Sequence, residues 1–130
     1  MKNDLLLDSH ILLWSLTNDR HLSKAAEHLI LTTPHIYVSA ASLFELRVKA
    51  ARNKVTLPDN IEQLIYAQNF TILDLSAAQL HDYRTFNTPN PDPFDNALLS
   101  VAEAQRLRFL TVDSAIIPLQ KTYPWIINGG

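Results

Sequence analysis

The sequence predicts a three-layer α/β/α domain with a parallel sheet. Short apolar runs of strand length alternate with longer runs of helical periodicity along the whole chain. The first strand candidate, "DLLLD" at residues 4–8, is continuously apolar and bounded by acids. Such runs are typical of strands buried on both faces, as in parallel sheets.

The clearest helix-strand unit covers residues 89–113. Its apolar residues recur at helical spacing after Asp92 or Asp95, one of which is the expected N-cap, and the unit ends in the strand "RFLTVD". Because a helix followed by a parallel strand returns the chain to the same edge of the sheet, we expect Asp95 and Asp113 to lie at one edge.

Length and composition describe one ordinary globular domain, residues 1–130, with 47% apolar and 18% charged residues. The chain has no cysteine, which excludes disulfides and thiolate zinc sites and fits a reducing cytoplasm. Acids and His interrupt the apolar runs, so neither a membrane span nor a signal peptide is expected. Both glycines are at the C-terminal end, Gly129 and Gly130, which excludes a glycine-rich phosphate loop.

The elements of the first half are predicted as follows. Ser9 caps a helix over "HILLWSL", and Ser23 caps a second helix that starts near Leu22. "HIYVSA" is the second strand, and a third helix runs over residues 42–52 with apolar residues on more than one stripe.

The second half continues the alternation. A helix over "IEQLIYAQ" precedes the strand "FTILDL", and Ser76 caps a helix over "AAQLHDYRTF". After the 89–113 unit, "WIIN" is the last strand. With no internal glycine, left-handed helix ends are expected at Asn53 and Asn69.

Four acids follow strand ends or lie in the next helical turn: Asp8, Glu45, Asp95 and Asp113. Ligands of open α/β sheets bind at the carboxyl edge of the strands. Carboxylates gathered there repel one another and have raised pKa values unless a cation binds. Hard oxygen ligands suit Mg²⁺ or Mn²⁺, so the pattern indicates a divalent-metal site.

Each acid also has a simpler interpretation. An acid at a strand-helix turn is often only a cap, and Glu45 has an i+4 partner in Lys49. Asp92 and Asp95 can divide the roles of cap and ligand in either order. Asp74 also ends a strand, so position alone is a weak criterion.

Two further patterns have alternative interpretations. Arg47, Lys49, Arg52 and Lys54 form the densest basic run, which suits either RNA phosphates or a solvated helix face. His10 and Trp14 have i, i+4 spacing, typical of a ligand or stacking pair or, more simply, of a buried aromatic beside a hydrogen-bonded His.

Three blocks resemble the PIN-domain family, specifically VapC-type toxins of bacterial toxin-antitoxin pairs: "LLLDSHILLW", "SAASLFELRVKAARNKVTL" and "NPDPFDNALLSVAEAQRLRFLTVD". They occur in the family's order and spacing over most of the chain. The resemblance implies strand order 3-2-1-4-5, which brings Asp8, Glu45, Asp95 and Asp113 together and leaves Asp74 on the edge strand.

The resemblance also implies a function: an Mg²⁺- or Mn²⁺-dependent endoribonuclease whose metal-activated water cuts RNA to 5′-phosphate and 3′-hydroxyl ends. By position, Asp8 and Asp95 correspond to the main metal ligands. Glu45 and Asp113 orient the water or complete a second metal position. Ser9 takes the place of the family's hydroxyl residue, and Asp92 is an accessory acid.

The implied partners are an RNA substrate, a cognate antitoxin and a second copy of the chain, with no membrane. The third helix has apolar residues on more than one stripe, and the additional stripe suits a homodimer contact or a groove that binds the antitoxin. The sequence departs from the family where relatives commonly have His and Arg, at Asn90 and Asn96, which removes a cation beside the phosphate path in this interpretation.

Two alternatives stand beside the nuclease. One is a partner-binding PIN-like module with weak or no turnover, which Asn90 and Asn96 favour. The other is a phosphorylatable receiver-like module with Asp74 as acceptor, but this needs a Lys after the last strand and "WIIN" is followed by none.

Overall fold

The computed structural model describes residues 4–89 and 92–130. This part of the chain contains a five-stranded parallel sheet of order β3-β2-β1-β4-β5. The strands are β1 Leu5–Leu7, β2 Ile36–Ser39, β3 Thr71–Leu73, β4 Arg108–Thr111 and β5 Ile126–Asn128. The predicted fold class, strands and strand order are confirmed.

Six α-helices connect or flank these strands within the described residues. They are α1 Ser9–Thr17, α2 Lys24–Thr32, α3 Ala40–Ala51, α4 Ile61–Ala67, α5 Ala77–His81 and α6 Pro93–Gln105. A short 3-10 helix, Ile117–Lys121, precedes β5 and was not predicted.

Two apolar layers enclose the central strand β1, whose three leucines are fully buried. Leu5 and Leu7 belong to the layer that includes Ile11 of α1, and Leu6 belongs to the layer that includes Leu98 of α6. Successive side chains of a strand lie on opposite faces, so this division follows from the strand itself. The three-layer arrangement is therefore the direct result of a strand that is apolar at every position.

Two predicted helix starts were wrong. Asp8, not Ser9, is the N-cap of α1: its extended backbone precedes the helix and its carboxylate accepts a hydrogen bond from the Ser9 N–H. Helix α3 begins at Ala40, not near residue 42, because Ser39 at the end of β2 caps it directly. In both cases the chain passes from strand to helix without a loop.

The predicted helix over residues 77–86 ends at His81. Beyond it, α6 supplies the hydrogen-bond partners that a longer helix would have supplied. The Arg84 N–H donates to Ser100 Oγ, and the Phe86 N–H donates to Asn96 Oδ1 at 2.9 Å. Tertiary contacts thus determine where this helix stops.

Left-handed backbone occurs at Asn53 and Asn69, as predicted, and also at Asn18 and Arg106, all with φ between 52° and 61°. No helix among the described residues is long and apolar enough to span a bilayer.

Candidate metal centre

Three carboxylates meet at the carboxyl edge of the sheet: Asp8 after β1, Glu45 in α3 and Asp95 in α6. Each offers one oxygen, and these oxygens all lie within 4.8 Å of one another. We call these residues the acidic triad. Asp8 and Glu45 are each only 5% exposed, and Asp95 is partly exposed.

The topology explains the convergence. Strand β1 lies between β2 and β4, so Asp8 is next to the helix that follows β2 and to the helix that precedes β4. Helices α3 and α6 pack against each other, which brings Glu45 and Asp95 to the same place. Three segments distant in sequence thus contribute one side chain each.

Both oxygens of Asp8 accept hydrogen bonds. Oδ1 accepts from the Ser9 N–H at 2.7 Å, and Oδ2 accepts from Thr111 Oγ1 at 2.5 Å. These bonds fix the carboxylate in one orientation. Burial has the largest effect on the pKa of Asp8 and raises it, the two hydrogen bonds lower it, and the charges of Glu45 and Asp113 raise it slightly. The resulting pKa is about 6.

Glu45 is held by two partners. Ser9 Oγ donates to Oε1 at 2.6 Å, and Lys49 Nζ lies 3.1 Å from Oε2. The i+4 pair with Lys49 exists as the simpler interpretation proposed, and Glu45 also belongs to the triad. The two interpretations are therefore compatible.

Asp95 differs because no group in residues 4–89 and 92–130 donates a hydrogen bond to its carboxylate. Asp92 is the cap of α6 and accepts hydrogen bonds from the N–H groups of Phe94 and Asp95, so of these two acids it is Asp92 that caps the helix. The pKa of Asp95 is raised to about 8, mainly by burial and to a smaller extent by the charges of the neighbouring acids, of which Asp8 has the largest effect.

The charge balance of the triad favours a cation. Three carboxylates lie together, and Lys49 is the cation in contact with them among the described residues. Carboxylate oxygens are the donors that Mg²⁺ and Mn²⁺ prefer. The residues present therefore fit a divalent cation, held by Asp8, Glu45 and Asp95.

Asp113 lies near the triad but outside the group of oxygens within 4.8 Å. Its Oδ1 accepts from the Ala115 N–H at 2.8 Å, and its charge raises the pKa of Asp8 and Asp95. Asp74 follows the edge strand β3 and is exposed, away from the triad. A role for Asp113 as a metal ligand stays a prediction.

The basic run divides into two parts. Lys49, Arg52 and Lys54 line a cleft of about 180 Å³ together with Glu45, Val48, Asp92 and Phe94. We call this the basic cleft. Arg47 does not line it, because its guanidinium pairs with Glu62 at 2.7 Å on the exposed side of α3.

Asn96, which directly follows Asp95, has a structural role. Its side chain is buried and accepts the hydrogen bond from the Phe86 N–H, so it positions the segment after α5. The interpretation of Asn96 as a lost phosphate contact stays a prediction. Asn90 lies outside the described residues.

Sequence reasoning missed Thr111, which donates to Asp8 and also accepts from the Asp113 N–H at 3.0 Å. A signal for it exists: Thr111 is a hydroxyl residue within an otherwise apolar strand end, two residues before an acid. It ties the ends of β1 and β4 together at the site.

The fold and the site together define a class of protein: parallel α/β domains with an acidic centre at the carboxyl edge of the sheet. The chain belongs to the PIN domain family, which it matches over residues 5–121.

Solved structures with the same fold include toxin-antitoxin proteins. One is a toxin-antitoxin complex from Klebsiella pneumoniae, with 18% identity, TM-score 0.62 and coverage of 97% of this chain and 98% of that one. Another is VapBC2 from Rickettsia felis bound to a DNA fragment from its promoter, with 18% identity, TM-score 0.59 and 96% of both chains covered. No curated protein has a significant sequence match.

Proposed function

We propose that this protein is a divalent-metal-dependent endoribonuclease, the toxin component of a toxin-antitoxin pair. The observation that carries the proposal is the acidic triad, with three carboxylate oxygens within 4.8 Å at the carboxyl edge of a PIN domain. The reaction is hydrolysis of an RNA phosphodiester bond to 5′-phosphate and 3′-hydroxyl ends.

Each residue of the site has a defined part in this proposal. Asp8 and Asp95 are the direct ligands of Mg²⁺ or Mn²⁺, and Glu45 completes the site or orients the attacking water. When bound, the cation would lower the pKa of a water molecule and neutralise charge that develops on the phosphodiester. Asp113, close to the triad but outside it, would orient water or serve a second cation.

The other residues act through the triad. Ser9 and Thr111 fix the carboxylates of Glu45 and Asp8 by hydrogen bonds. Asp92 caps the helix that presents Asp95. These three are positioning residues.

The RNA backbone follows the basic cleft. Its three cations, Lys49, Arg52 and Lys54, are next to Glu45, so a bound strand would place a phosphate at the triad while its neighbours contact the cations. A net charge of −2 makes this local patch the main electrostatic attraction for a polyanion.

An apolar groove suits a protein partner. It has a volume of about 300 Å³ and is lined by Ala41, Phe44, Leu75, Leu80, Tyr83, Pro93, Phe94 and Ala97. Phe44 is 60% exposed, and its ring contacts that of Phe94 edge-on at 5.2 Å. We propose that a second copy of the chain or the cognate antitoxin covers this groove in the cytoplasm, and that a small DNA-binding protein encoded by the neighbouring reading frame copurifies with the chain.

Cleavage of labelled single-stranded RNA tests the nuclease proposal. We expect cleavage with Mg²⁺ or Mn²⁺ and none with EDTA. Asp8→Asn and Asp95→Asn should each reduce the rate by roughly a hundredfold or more, because each removes a ligand charge. Asp74→Asn is the matched control, an acid after a strand but away from the triad, and should retain full activity.

Two results would contradict the proposal. Cleavage that persists in EDTA would exclude the metal mechanism. RNA binding without turnover by the wild-type protein under any divalent cation would instead identify a PIN-like binding module.

A further inference from the structure

A second cleft adjoins the acidic triad. It has a volume of about 310 Å³ and is lined by His10 and Trp14 of α1 and by Val112, Asp113 and Ser114 after β4. We call it the aromatic cleft. Its walls combine two ring systems and one valine with a carboxylate and a hydroxyl.

The rings are held in place by packing. The centroids of His10 and Trp14 are 5.9 Å apart, and His21 stacks on Trp14 at 5.5 Å with an interplanar angle of 28°. Trp14 also packs against the apolar layer that contains Ile11 and Leu12. Both His10 and Trp14 remain partly exposed, so each ring presents a fixed surface to the cleft.

The aromatic cleft lies close to the acidic triad. His10 is two residues after Asp8, and Asp113, another wall of the cleft, raises the pKa of Asp8 and Asp95 by its charge. The basic cleft adjoins the triad through Glu45 and shares no lining residue with the aromatic cleft. The basic cleft thus offers cationic side chains on one side of the triad, and the aromatic cleft offers aromatic rings on another.

A single-stranded RNA needs both kinds of surface, one for its phosphates and one for its bases. Lys and Arg contact the backbone, whereas unstacked bases pack against aromatic rings and place their polar edges on hydrogen-bonding groups. Asp113 Oδ1 accepts from the Ala115 N–H, and the polar edge of a base would contact Asp113 Oδ2 and the hydroxyl of Ser114. A paired base cannot present its face to a protein ring, so only a single-stranded nucleotide fits this description.

We propose that the aromatic cleft is a base-stacking subsite, in which Trp14 and His10 hold the unpaired base of a nucleotide next to the scissile phosphate. This inference rests on the proposed ribonuclease function and adds the residues that position the substrate. Trp14 and His10 are positioning residues for the RNA and take no part in the chemistry.

The test combines a protein change with a substrate change. Cleavage sites are first mapped on single-stranded RNA, and matched substrates are then made with an abasic nucleotide on either side of the cut bond. For the wild-type protein we expect one of the two abasic substrates to have a KM raised roughly 5- to 150-fold, the usual effect of one lost stacking contact. With Trp14→Leu, the normal and abasic substrates should have similar KM values.

Two further variants separate stacking from folding. Trp14→Phe retains a ring and should recover most of the affinity. Trp125→Phe alters the other tryptophan, which packs with Phe86 and Tyr123 instead, and should leave KM unchanged. Because the abasic substrates are also tested on the wild-type protein, a poorly folded variant cannot decide the result.

The outcomes are distinguishable. If the wild-type protein cleaves both abasic substrates as well as the normal RNA, or if Trp14→Leu retains the full abasic effect, the subsite is excluded while the nuclease stands. If the wild-type protein cleaves no RNA, the nuclease proposal fails. The subsite is then judged by RNA binding to Trp125→Phe, in which Trp14 is the one remaining tryptophan. Quenching of its fluorescence by a normal RNA but not by a fully abasic RNA of the same length supports the subsite, and an equal response to both overturns it.

Discussion

At the scale of single residues, Asp95 differs from the other two members of the triad. Both oxygens of Asp8 accept hydrogen bonds, and those of Glu45 have a hydrogen bond from Ser9 and an ion pair with Lys49, whereas no described group donates to the Asp95 carboxylate. Burial and the nearby acids raise its pKa to about 8, and no hydrogen bond from a described group offsets this increase. Asp95 therefore gains most from a bound cation.

This pKa predicts a pH-dependent stability of the metal-free protein. The folded state holds a proton on Asp95 up to about pH 8, whereas the unfolded chain releases it near its ordinary pKa of 3.8. Folding therefore takes up a proton between these values, and the free energy of unfolding falls as pH rises through them. In EDTA we expect a lower Tm at pH 8 than at pH 5, and Mg²⁺ should restore it.

Asp95→Asn is the control for this pH effect. The amide cannot ionise, so the variant should lose most of the decrease and be more stable than wild type at pH 8 in EDTA. The difference should be on the order of 1–2 kcal/mol, since the partly exposed site is screened by solvent. Thermal unfolding followed by circular dichroism measures it, and an equal slope in both proteins would refute the assignment to Asp95.

At the scale of elements, Asn96 connects α6 to the segment after α5. Its side-chain oxygen accepts from the buried Phe86 N–H. Asn96→Ala leaves that donor unpaired and should lower the free energy of unfolding by about 1–3 kcal/mol. Asn87→Ala, an exposed neighbour of Phe86, should change it by less than about 0.5 kcal/mol.

Asn96→Arg separates the structural role from the interpretation based on family resemblance. If position 96 faced the phosphate path, an arginine there would strengthen RNA binding. Because the position is buried, we expect Asn96→Arg to be less stable than Asn96→Ala and to bind RNA no better. Urea unfolding and an RNA titration of the same samples measure both quantities.

The strands were predictable because each is a short apolar run between polar residues, a signal that depends only on local sequence. The end of α5 was not, because Ser100 and Asn96, at least ten residues further along the chain, supply its competing hydrogen bonds. The cap of α1 was uncertain for a different reason. Asp8 and Ser9 are both cap-forming residues, and only the backbone decides between them.

At the scale of the whole molecule, the strand order brings acids from distant parts of the sequence to one edge of the sheet. Periodicity placed Asp8, Glu45, Asp95 and Asp113 near strand ends, but the family resemblance was needed to state which strands are neighbours. The structure brings three of them together and leaves Asp113 beside them. The distances between side chains could not be inferred from sequence, because they depend on how α3 packs against α6.

The division of the basic run predicts unequal effects on RNA binding. Arg52→Ala and Lys54→Ala each remove a cation from the basic cleft, whereas Arg47→Ala removes the same charge from a pair with Glu62. We expect the first two to weaken binding and each to reduce the slope of log K against log salt by about 0.7, the value for one phosphate contact on a single strand.

Arg47→Ala should leave both the affinity and the slope nearly unchanged. Fluorescence anisotropy with a labelled single-stranded RNA at several salt concentrations measures both quantities, in EDTA so that no cleavage occurs. Equal losses in all three variants would show that net charge, and not the basic cleft, governs binding.

The left-handed backbone at Arg106 has a practical consequence for engineering. This residue joins α6, which presents Asp95, to β4, which presents Thr111, and its side chain is exposed. A residue with a Cβ is strained in that conformation, and glycine is not. Arg106→Gly would thus be a starting point for a heat-tolerant variant, since it removes the backbone strain between α6 and β4 and leaves every side chain of the acidic triad in place.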